Sequence, residues 1–424
     1  MTEAVLGIDI GTTGVRVIAT RRNHEVLAYA SVPMPGPIRT GDRVEQNADI
    51  WWQAVCAALD ELRGKISFAN IRALSIDGTS GTVVAVDGAG HPLAPASMYN
   101  DASASAAARL IAKIAPPETA AHGATSPLGR ALSLQHLDGI YRILHQADWI
   151  CAQFTENFGI SDENNALKTS YDPVLRQWPG WLAELDFDTR LLPEVVPAGV
   201  QTGIISTRMQ ARFGFGHDTK VIAGTTDGCA AFLATGASQI GAGVTSLGTT
   251  LVIKLLSNHP IFAPDYGIYS HRIGDLWLAG GASNSGGGAL LRYFTLQQMI
   301  DLEAHMQADL PTGFDFYPLA GTGERFPVYD PQMQSRVSPR PDSDAEFLQA
   351  LLEGVANVEA RAYHRMSELG GPKLREVFTV GGGAHNAAWS KIRARSLGIP
   401  LRPPFSEAAA AGTARLAWRG LGLT

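Results

Sequence analysis

Near the start of the chain, an acidic residue and two threonines surround a turn bounded by glycines. Asp9 precedes Gly11-Thr12-Thr13-Gly14, and Arg16 follows it. Apolar residues alternate with small or polar ones on both sides, which predicts a β-hairpin. The glycines allow the backbone to approach a ligand closely, and the threonine hydroxyls and backbone N–H groups suit phosphate oxygens. Asp9 is placed to hold a hydrated Mg²⁺ facing those oxygens, and Arg16 to add positive charge.

A second turn of the same kind lies in the middle of the chain. Ser246-Leu247-Gly248-Thr249-Thr250 again stands between two strand-like segments. Taken alone, a Gly-Thr-Thr turn is equally consistent with an ordinary hairpin, in which Asp9 of the first copy would be only a turn residue. Two copies, one in each half, favour two related lobes that grip one nucleotide. Because Ser246 stands where the first copy has Asp9, only the first lobe is predicted to carry the metal-binding carboxylate.

Another acidic residue, Asp227, is predicted to lie between a strand and a helix. Strand-like residues 219–224 precede it, and an apolar helical segment, 229–234, follows it. An Asp in that place is commonly a helix N-cap. It is also a candidate general base, because the positive end of the helix dipole favours the charged, proton-accepting carboxylate.

Two glycine-rich segments later in the chain each precede a predicted helix. They are 280–288, with Gly287 and Gly288, and 381–386, with Gly383, Ala384 and Asn386. Glycine backbone at a helix start suits close approach to a nucleotide; close packing of helix on strand is the alternative for the first segment. The chain has no Gly-x-x-x-x-Gly-Lys sequence, which excludes P-loop chemistry, and no dinucleotide-binding glycine fingerprint.

Together these motifs resemble the FGGY carbohydrate kinases, which belong to the superfamily of sugar kinases, heat-shock chaperones and actin. The resemblance rests on Asp-x-Gly-Thr-Thr near the start, Gly-Thr-Thr in the middle and Gly381-Gly382-Gly383-Ala384 late in the chain. It implies an α/β fold with two ribonuclease-H-like lobes flanking a deep cleft. The implied sugar-binding lobe is 1–234 with 408–424, and the implied nucleotide-binding lobe is 235–407. Asp227 matches the family's Gly-x-x-Asp motif, and Gly383, Ala384 and Asn386 match its adenosine motif.

The same resemblance implies two sugar-binding loops in the first lobe. One is Asp77-Gly78-Thr79-Ser80-Gly81, with Thr79 and Ser80 as hydroxyl donors. Many members have a Gln-Met-His-Gly-like sequence there. The sequence of this loop differs from it and is more similar to that of a group of shorter pentulose kinases. The other is Asn100-Asp101, which matches Trp-Asn-Asp-x-Arg, although Ser103 replaces the Arg. The alternatives are a turn capped by Asp77 and an Asn/Asp helix cap.

The composition is that of an ordinary globular protein. The 424 residues are 45% apolar and 17% charged, with a formal net charge of −6 from 34 basic and 40 acidic side chains. The length predicts two domains, and the absence of a basic patch argues against nucleic acid as a partner. Three scattered cysteines, Cys56, Cys151 and Cys229, lack metal-ligand spacing and fit a reducing compartment. Without a signal peptide or membrane-length apolar run, we expect a cytoplasmic monomer or homodimer with no membrane partner.

The sequence therefore predicts a kinase that uses ATP and Mg²⁺ to phosphorylate the terminal hydroxyl of a ketopentose. D-ribulose is the first choice because of the 77–81 loop, and D-xylulose is the second; glycerol and gluconate kinases share the fold. Two rivals remain: a chaperone-like or filament-forming ATPase of the same superfamily, and a non-catalytic sugar sensor. The ATPase would lack a base in the cleft, and the presence of both Asp9 and Asp227 argues against the sensor.

Overall fold

The computed structural model describes residues 3–423, which divide into two compact units. Unit 1 comprises the described residues up to Ala234, His271–Gly274 and those from Ala408 onward, and unit 2 comprises Thr235–Ser270 and Asp275–Glu407. The sequence placed His271–Gly274 in the second lobe, whereas the structure groups this segment with unit 1. Which reactant each unit binds stays a prediction.

The strands and helices alternate along most of the chain. The strands are β1 (Ala4–Ile10), β2 (Gly14–Thr20), β3 (Val26–Pro33), β4 (Ile38–Thr40), β5 (Arg43–Gln46), β6 (Ile71–Gly78), β7 (Val83–Val86), β8 (Ala96–Ser97), β9 (Arg142–His145), β10 (Ile160–Asp162), β11 (Glu194–Val196), β12 (Gln201–Ile204), β13 (Lys220–Thr226), β14 (Ala242–Leu247), β15 (Leu251–Ser257), β16 (Tyr269–Ile273), β17 (Leu276–Ser283), β18 (Glu376–Val380) and β19 (Leu401–Arg402). The α-helices are α1 (Ala48–Arg63), α2 (Ser105–Ile114), α3 (Pro127–Leu134), α4 (Gln146–Thr155), α5 (Glu163–Ala166), α6 (Thr207–Phe213), α7 (Asp227–Ala234), α8 (Gly287–Leu290), α9 (Leu296–Glu303), α10 (Asp344–Glu368), α11 (Ala387–Leu397) and α12 (Ala409–Gly420). Short 3₁₀ helices lie at Phe68–Asn70, Leu167–Thr169, Gly180–Leu185, Thr189–Leu191, Pro264–Tyr266 and Gly382–His385.

The two large sheets share the order of five of their six strands, β3-β2-β1-β6-β13 corresponding to β17-β15-β14-β18-β19. In unit 1 the order is β12-β13-β6-β1-β2-β3, and in the second sheet it is β16-β17-β15-β14-β18-β19. Each sheet begins with an antiparallel hairpin, β1–β2 or β14–β15, and adds parallel strands beside its first strand. Both predicted hairpins and the predicted α/β fold class are confirmed. Within the described chain, no helix has the length and hydropathy to span a bilayer.

β1 is the central strand of unit 1 and is buried along its whole length. Its apolar side chains point to both faces, as is typical of a strand covered by helices on both sides. Trp51 of α1 belongs to the core on one face, and Trp418 of α12 belongs to the core on the other. At Gly7 a Cβ atom would overlap the carbonyl oxygen of Ala410, so the absence of a side chain lets α12 lie directly on the strand.

A buried ion pair braces the sheet of unit 2. Arg393 of α11 and Glu359 of α10 are both fully buried and are joined at 2.6 Å. Glu359 also accepts a hydrogen bond from Thr245 of β14 at 2.6 Å, and Arg393 donates one to Thr379 of β18 at 2.9 Å. Four elements are thereby fixed to one another, and the strands β14 and β18 lead directly into the predicted nucleotide-binding turns.

Candidate active site

Three carboxylates meet where parallel strands of unit 1 end. Asp9 and Asp77 are direct partners in the register of β1 and β6, and Thr225 of β13 lies opposite Asp77 on its other side. Asp227 follows immediately as the first residue of α7. Asp9 is 6% exposed and Asp77 is fully buried, whereas Asp227 is half-buried. Polar groups at the carboxyl ends of parallel strands are placed for ligand binding.

The charges in this group act on one another. Burial, followed by the charge of Asp9, holds the pKa of Asp77 well above its ordinary value of 3.8. A hydrogen bond from Thr413 of α12 opposes this shift, and the charge of Asp227 adds to it. The second carboxyl oxygen of Asp77, Oδ1, is buried and has no hydrogen-bond partner among the described residues. The group therefore favours holding either a proton or a cation.

The donor set fits a magnesium ion that keeps much of its water. Mg²⁺ in phosphoryl-transfer sites is usually held by one or two carboxylates together with substrate phosphates. Asp9 and the orphaned oxygen of Asp77 offer that number. Across residues 3–423, no group of three or more His, Cys, Asp or Glu side chains is arranged to hold a metal by itself.

The first hairpin turn is fixed through its backbone. The Gly11 N–H donates to Gly14 O at 3.0 Å, Met34 N–H donates to Thr13 O at 2.8 Å, and Gln46 donates to Thr12 O at 3.2 Å. Neither threonine hydroxyl has a hydrogen-bond partner in the described part of the chain. Hydrogen bonds to its backbone thus fix the turn, while the hydroxyls of Thr12 and Thr13 remain available, as the phosphate-binding prediction requires.

Arg16 forms an ion pair with Asp9, the predicted metal-binding carboxylate. Its Nη1 is 3.0 Å from Asp9 Oδ2, and the side chain is 48% exposed. The pair links the two strands at the turn, because Asp9 and Arg16 face each other in register. Whether Arg16 also contacts a nucleotide stays a prediction.

Asp227 does not have to cap its helix. Thr226 accepts a hydrogen bond from the Cys229 N–H at 3.4 Å through its hydroxyl, which is the pattern of an N-cap. The carboxylate of Asp227 accepts from the N–H of Gly228 at 2.6 Å. Because Thr226 already supplies the cap, the structure favours the interpretation of Asp227 as a base.

In the 77–81 loop, only one of the two predicted hydroxyl donors already has hydrogen-bond partners within the protein. Thr79 is buried, and its N–H and hydroxyl both contact Gln146 Oε1, at 2.9 Å and 2.8 Å. The Thr79 hydroxyl also lies 2.6 Å from that of Thr82. The hydroxyl oxygen of Ser80 is buried without a hydrogen-bond partner. Thr79 therefore fixes the loop, and Ser80 has the capacity to bind a ligand. Gly78 is needed for this packing, because a Cβ there would come within 3.1 Å of Gln146.

Asp101 is occupied by internal contacts. One carboxylate oxygen accepts from the N–H and the hydroxyl of Ser103, at 2.8 Å and 2.6 Å. The other accepts from the Val44 N–H at 3.1 Å and the Ser97 hydroxyl at 3.0 Å. Burial raises the pKa of Asp101, but these hydrogen bonds outweigh it and the pKa falls below its ordinary value. Asp101 is not a helix cap, because α2 begins at Ser105 with Ala104 as its N-cap. Its carboxylate instead fixes the loop, whereas the amide oxygen of Asn100 is buried and unpartnered.

Unpartnered buried polar atoms are concentrated around these loops. Such atoms cost roughly 1–3 kcal/mol each when nothing satisfies them. Hydrogen bonds connect their segments, since Thr79 contacts Gln146 and Arg130 of α3 contacts both Ser126 O and Gly81 O. The atoms in these segments are Asp77 Oδ1, Ser80 Oγ, Asn100 Oδ1, Ser126 Oγ, Gln146 Nε2, Asn165 Oδ1 and Ser170 Oγ.

In unit 2, a glycine segment packs against the second Gly-Thr-Thr turn. The N–H groups of Gly287 and Gly288 donate to Gly248 O and Thr249 O, each at 2.9 Å. A Cβ at either glycine would come within 2.9 Å of this turn. The two glycines thus fit the alternative of close packing, and their N–H groups are not free for a nucleotide. Thr249 itself is exposed at the tip.

A cavity of about 600 Å³ lies beside this turn and the late glycine segment. The volume is within the range of small-molecule sites. Its lining consists of apolar side chains and glycine backbone with a few polar groups: Leu247, Gly248, Thr249, Gly287, Leu290, Leu291, Leu296, Met299, Ile300, Glu303, Leu348, Leu352, Gly382, Gly383, His385, Asn386 and Trp389. This composition suits a flat, weakly polar group such as a nucleobase.

The predicted adenosine residues have different places in this cavity. Gly383 lines it and is crowded by Leu247 and Trp389. Asn386 also lines it, and its side-chain oxygen caps α11 by accepting the Trp389 N–H at 2.6 Å. Ala384 is not part of the lining; its N–H donates to Gly381 O at 2.9 Å.

Comparison with known families accounts for the two similar sheets. Residues 4–125 match the N-terminal domain, and residues 243–421 the C-terminal domain, of the FGGY family of carbohydrate kinases. The chain belongs to the FGGY family. It is therefore a sugar kinase, as the sequence motifs predicted.

Individual members of this family cover almost the whole chain. The xylulose kinase of Escherichia coli K12 is 26% identical over 437 residues, which include 97% of this chain and 89% of the relative. Among solved structures, a "xyloylose kinase" from Brucella ovis has a TM-score of 0.88 at 23% identity and covers 99% of this chain and 91% of its own. A gluconate kinase from Lactobacillus acidophilus has a TM-score of 0.86 at 18% identity, covering 100% and 90%. At such identities the structural likeness shows the fold alone.

Several contacts of this FGGY kinase were not visible in the sequence. Gln146, Arg130 and Thr413 each contact a predicted site residue or loop from a distant part of the chain. His385 and Glu303 line the cavity of unit 2. Apart from His385, which lies in the 381–386 segment, none of these residues belongs to a motif, so only the folded chain brings them to the site. Arg130 had one indirect signal, the absence of the family's Arg at Ser103.

Proposed function

We propose that this FGGY kinase transfers the γ-phosphoryl group of ATP to the terminal hydroxyl of a ketopentose, with D-xylulose as the first candidate. The 77–81 loop led us to expect D-ribulose first, and that choice has not been confirmed. Relatives named as xylulose kinases favour D-xylulose instead. The similar gluconate kinase structure means that the fold by itself does not select the substrate.

The observation that carries this proposal is the meeting of Asp9, Asp77 and Asp227 beside loops with unpartnered buried polar atoms. A polyhydroxylated substrate would satisfy those atoms, and a carboxylate at its reacting hydroxyl would act as base. Phosphoryl transfer asks little covalent work of a protein beyond positioning, charge stabilisation and orientation of the nucleophile.

In the proposed reaction, Asp227 accepts the proton of the sugar's terminal hydroxyl. The freed oxygen forms the new bond to the γ-phosphorus, the bond from that phosphorus to the bridging oxygen breaks, and ADP leaves with those electrons. Asp9 would hold Mg²⁺, which supplies positive charge at the phosphate oxygens. Thr12, Thr13 and Thr249 would position phosphates, and the unit 2 cavity would hold the adenosine.

The substrate is tested by measuring ADP release with D-xylulose, D-ribulose, glycerol and gluconate at saturating ATP. We expect the highest kcat/KM for D-xylulose, a lower value for D-ribulose and little activity with the other two. A higher kcat/KM for D-ribulose would reverse the order of the two pentuloses. Strong turnover of glycerol or gluconate with none of either pentulose would overturn the substrate class.

The proposed base is tested by Asp227→Asn. Removing a general base costs typically about 10²- to 10⁴-fold in rate, so we expect a loss of that size in sugar-dependent ADP release. Folding should be nearly unchanged, because Thr226 supplies the cap of α7. Thermal melting checks the second expectation.

Thr226→Val is the matched control for this experiment. It removes the cap and should lower the melting temperature, since losing an N-cap costs about 0.5–2 kcal/mol, while most of the kinase activity remains. An Asp227→Asn protein that is folded and still phosphorylates sugar at nearly the normal rate would exclude Asp227 as the base.

A further inference from the structure

Arg130 is a buried cation outside every motif that the sequence identified. It lies on α3, is 3% exposed, and points all of its donors at backbone or hydroxyl oxygens. Nη2 donates to Gly81 O at 2.6 Å and to Thr125 O at 3.1 Å. Nη1 donates to Ser97 O at 3.0 Å, to Ser97 Oγ at 3.1 Å and to Met98 O. Nε reaches Ser126 O at 3.4 Å.

Three of the residues that accept these hydrogen bonds lie in or just before the two predicted sugar-binding loops, whereas Thr125 and Ser126 lie in neither. Gly81 closes the loop that begins at Asp77, and Met98 leads into Asn100 and Asp101. One guanidinium group therefore joins the two loops from behind. Its rigid, planar fork can serve several carbonyls at once in a way that a lysine ammonium cannot. The unpartnered oxygens of Ser80 and Asn100 lie within two residues of the clamped carbonyls.

Arg130 is also coupled to the acidic residue of the second loop. The Ser97 hydroxyl accepts from Arg130 and donates to Asp101 Oδ2 at 3.0 Å, so it links the two charges. Burial lowers the pKa of Arg130 to about 10, and the charge of Asp101 opposes that shift. The guanidinium thus remains charged at neutral pH, with Asp101 as its counterion.

We propose that Arg130 is a positioning residue of the sugar site, which from α3 fixes Gly81 in one predicted sugar-binding loop relative to Ser97 and Met98 before the other. The inference rests on the proposed function, because it assigns the two clamped loops to the sugar. It goes further in naming a residue on a distant helix that sets the spacing between those loops. A purely structural arginine would affect folding and both substrates alike.

The test compares Arg130→Lys with Arg393→Lys. Both arginines are almost fully buried and hydrogen-bonded, but Arg393 braces the strands beside the nucleotide cavity of unit 2. We expect Arg130→Lys to raise the KM of the sugar by roughly 10- to 100-fold, since several charged hydrogen bonds are lost, while the KM of ATP stays near normal. Arg393→Lys should leave the sugar KM near normal and raise the KM of ATP.

A milder variant, Ser97→Ala, keeps the test valid if Arg130→Lys fails to fold. It removes the link between Arg130 and Asp101 and leaves the guanidinium in place, so the sugar KM should rise by a smaller factor. A third measurement is chemical rescue of Arg130→Ala by millimolar guanidinium ion, with urea as the uncharged control of the same shape. Guanidinium should restore a low sugar KM, and urea should not.

Normal sugar KM in both Arg130→Lys and Ser97→Ala would overturn the proposal, and so would equal increases in the KM values of sugar and ATP. All KM values are measured with the sugar that the wild-type protein phosphorylates best. Failure of the proposed function would appear in the wild-type substrate panel, before any variant is assayed. The two failures are therefore distinguishable.

Discussion

At the scale of single residues, the two large sheets differ in the side chains at one corresponding strand-end position. Asp9 pairs with Asp77 across β1 and β6, and Ser246 pairs with Val380 across the corresponding strands β14 and β18. The backbone is the same at both places, but only unit 1 carries carboxylates there. This asymmetry supports the prediction that only the first lobe carries the metal-binding carboxylate.

Asp9→Asn should therefore weaken the use of Mg²⁺ more than the binding of sugar. We expect the Mg²⁺ concentration for half-maximal turnover to rise by roughly 10- to 100-fold, because mutating residues that support a metal site typically lowers metal affinity by that factor. The measurement is ADP release against Mg²⁺ concentration at saturating sugar.

Because Asp9→Asn also breaks the ion pair with Arg16, a second variant must separate the two effects. Arg16→Gln breaks the same pair and keeps the carboxylate, so its Mg²⁺ requirement should stay where it is in the wild type. If Asp9→Asn shows wild-type Mg²⁺ dependence, the metal assignment of Asp9 is wrong.

At the scale of elements, glycines decide how closely the turns of unit 2 pack. Gly383 has no room for a side chain, because a Cβ would lie 2.5 Å from a ring atom of Trp389 and 2.8 Å from Leu247. Its neighbour Gly382 has nothing within 4 Å of the same position. Both residues line the cavity, so they form a matched pair for testing it.

Gly383→Ala should impair nucleotide binding selectively. Overpacking costs about 1–3 kcal/mol, which corresponds to about a 5- to 150-fold increase in the KM of ATP if the turn moves into the cavity. Gly382→Ala adds the same methyl group in open space and should change the KM of ATP far less. Equal KM values for the two variants would show that this cavity is not where ATP binds.

The elements that sequence could predict are those whose signal is local. Both hairpins follow from alternating apolar residues around Gly-Thr-Thr, and both form as expected. The clamp by Arg130 joins residues 32 to 49 positions apart, and Thr413 reaches Asp77 across 336 positions. Such contacts form only when the helices pack on the sheet, so no local sequence pattern predicts them. The role of Asp101 was left undecided for the same reason, since one of its hydrogen-bond donors is the N–H of Val44 in β5, 57 positions away.

At the scale of the whole molecule, the buried acid Asp162 makes stability depend on pH. Its carboxylate caps α5 through the N–H groups of Asn164 and Asn165, at 2.9 Å and 3.0 Å. Burial, reinforced by the charge of Asp148, raises the pKa of Asp162 from 3.8 to about 8. Below the ordinary value both states hold the proton. Between that value and about 8 only the folded state holds it, so stability falls as the pH rises through this window.

Asp162→Asn should remove this dependence, because Asn also caps helices but does not titrate. The free energy of unfolding of the variant minus that of the wild type should therefore be larger at about pH 8 than at about pH 5, which means that the variant gains relative stability as the pH rises. Urea unfolding at the two pH values measures it.

Asp188→Asn is the surface control for this measurement. Hydrogen bonds from Arg190 lower the pKa of Asp188, so its contribution is lost only on acidification through values below the ordinary one. It should therefore be equal at the two pH values. If Asp162→Asn shifts stability by the same amount at both, the raised pKa does not govern the pH dependence.

The packing of α12 on β1 imposes a delay during synthesis of the chain, because the two elements lie far apart in the sequence. The helix covers the apolar face above Gly7, packs against α7 through Gly412, and places Thr413 against Asp77. Residues 235–407, of which only His271–Gly274 belong to unit 1, separate it in the chain from the first 234 residues. At about 5–20 residues per second, a ribosome needs roughly 10 to 35 s to synthesise that stretch. For that interval the first strand has emerged without its covering helix, and any pause in translating unit 2 lengthens the wait.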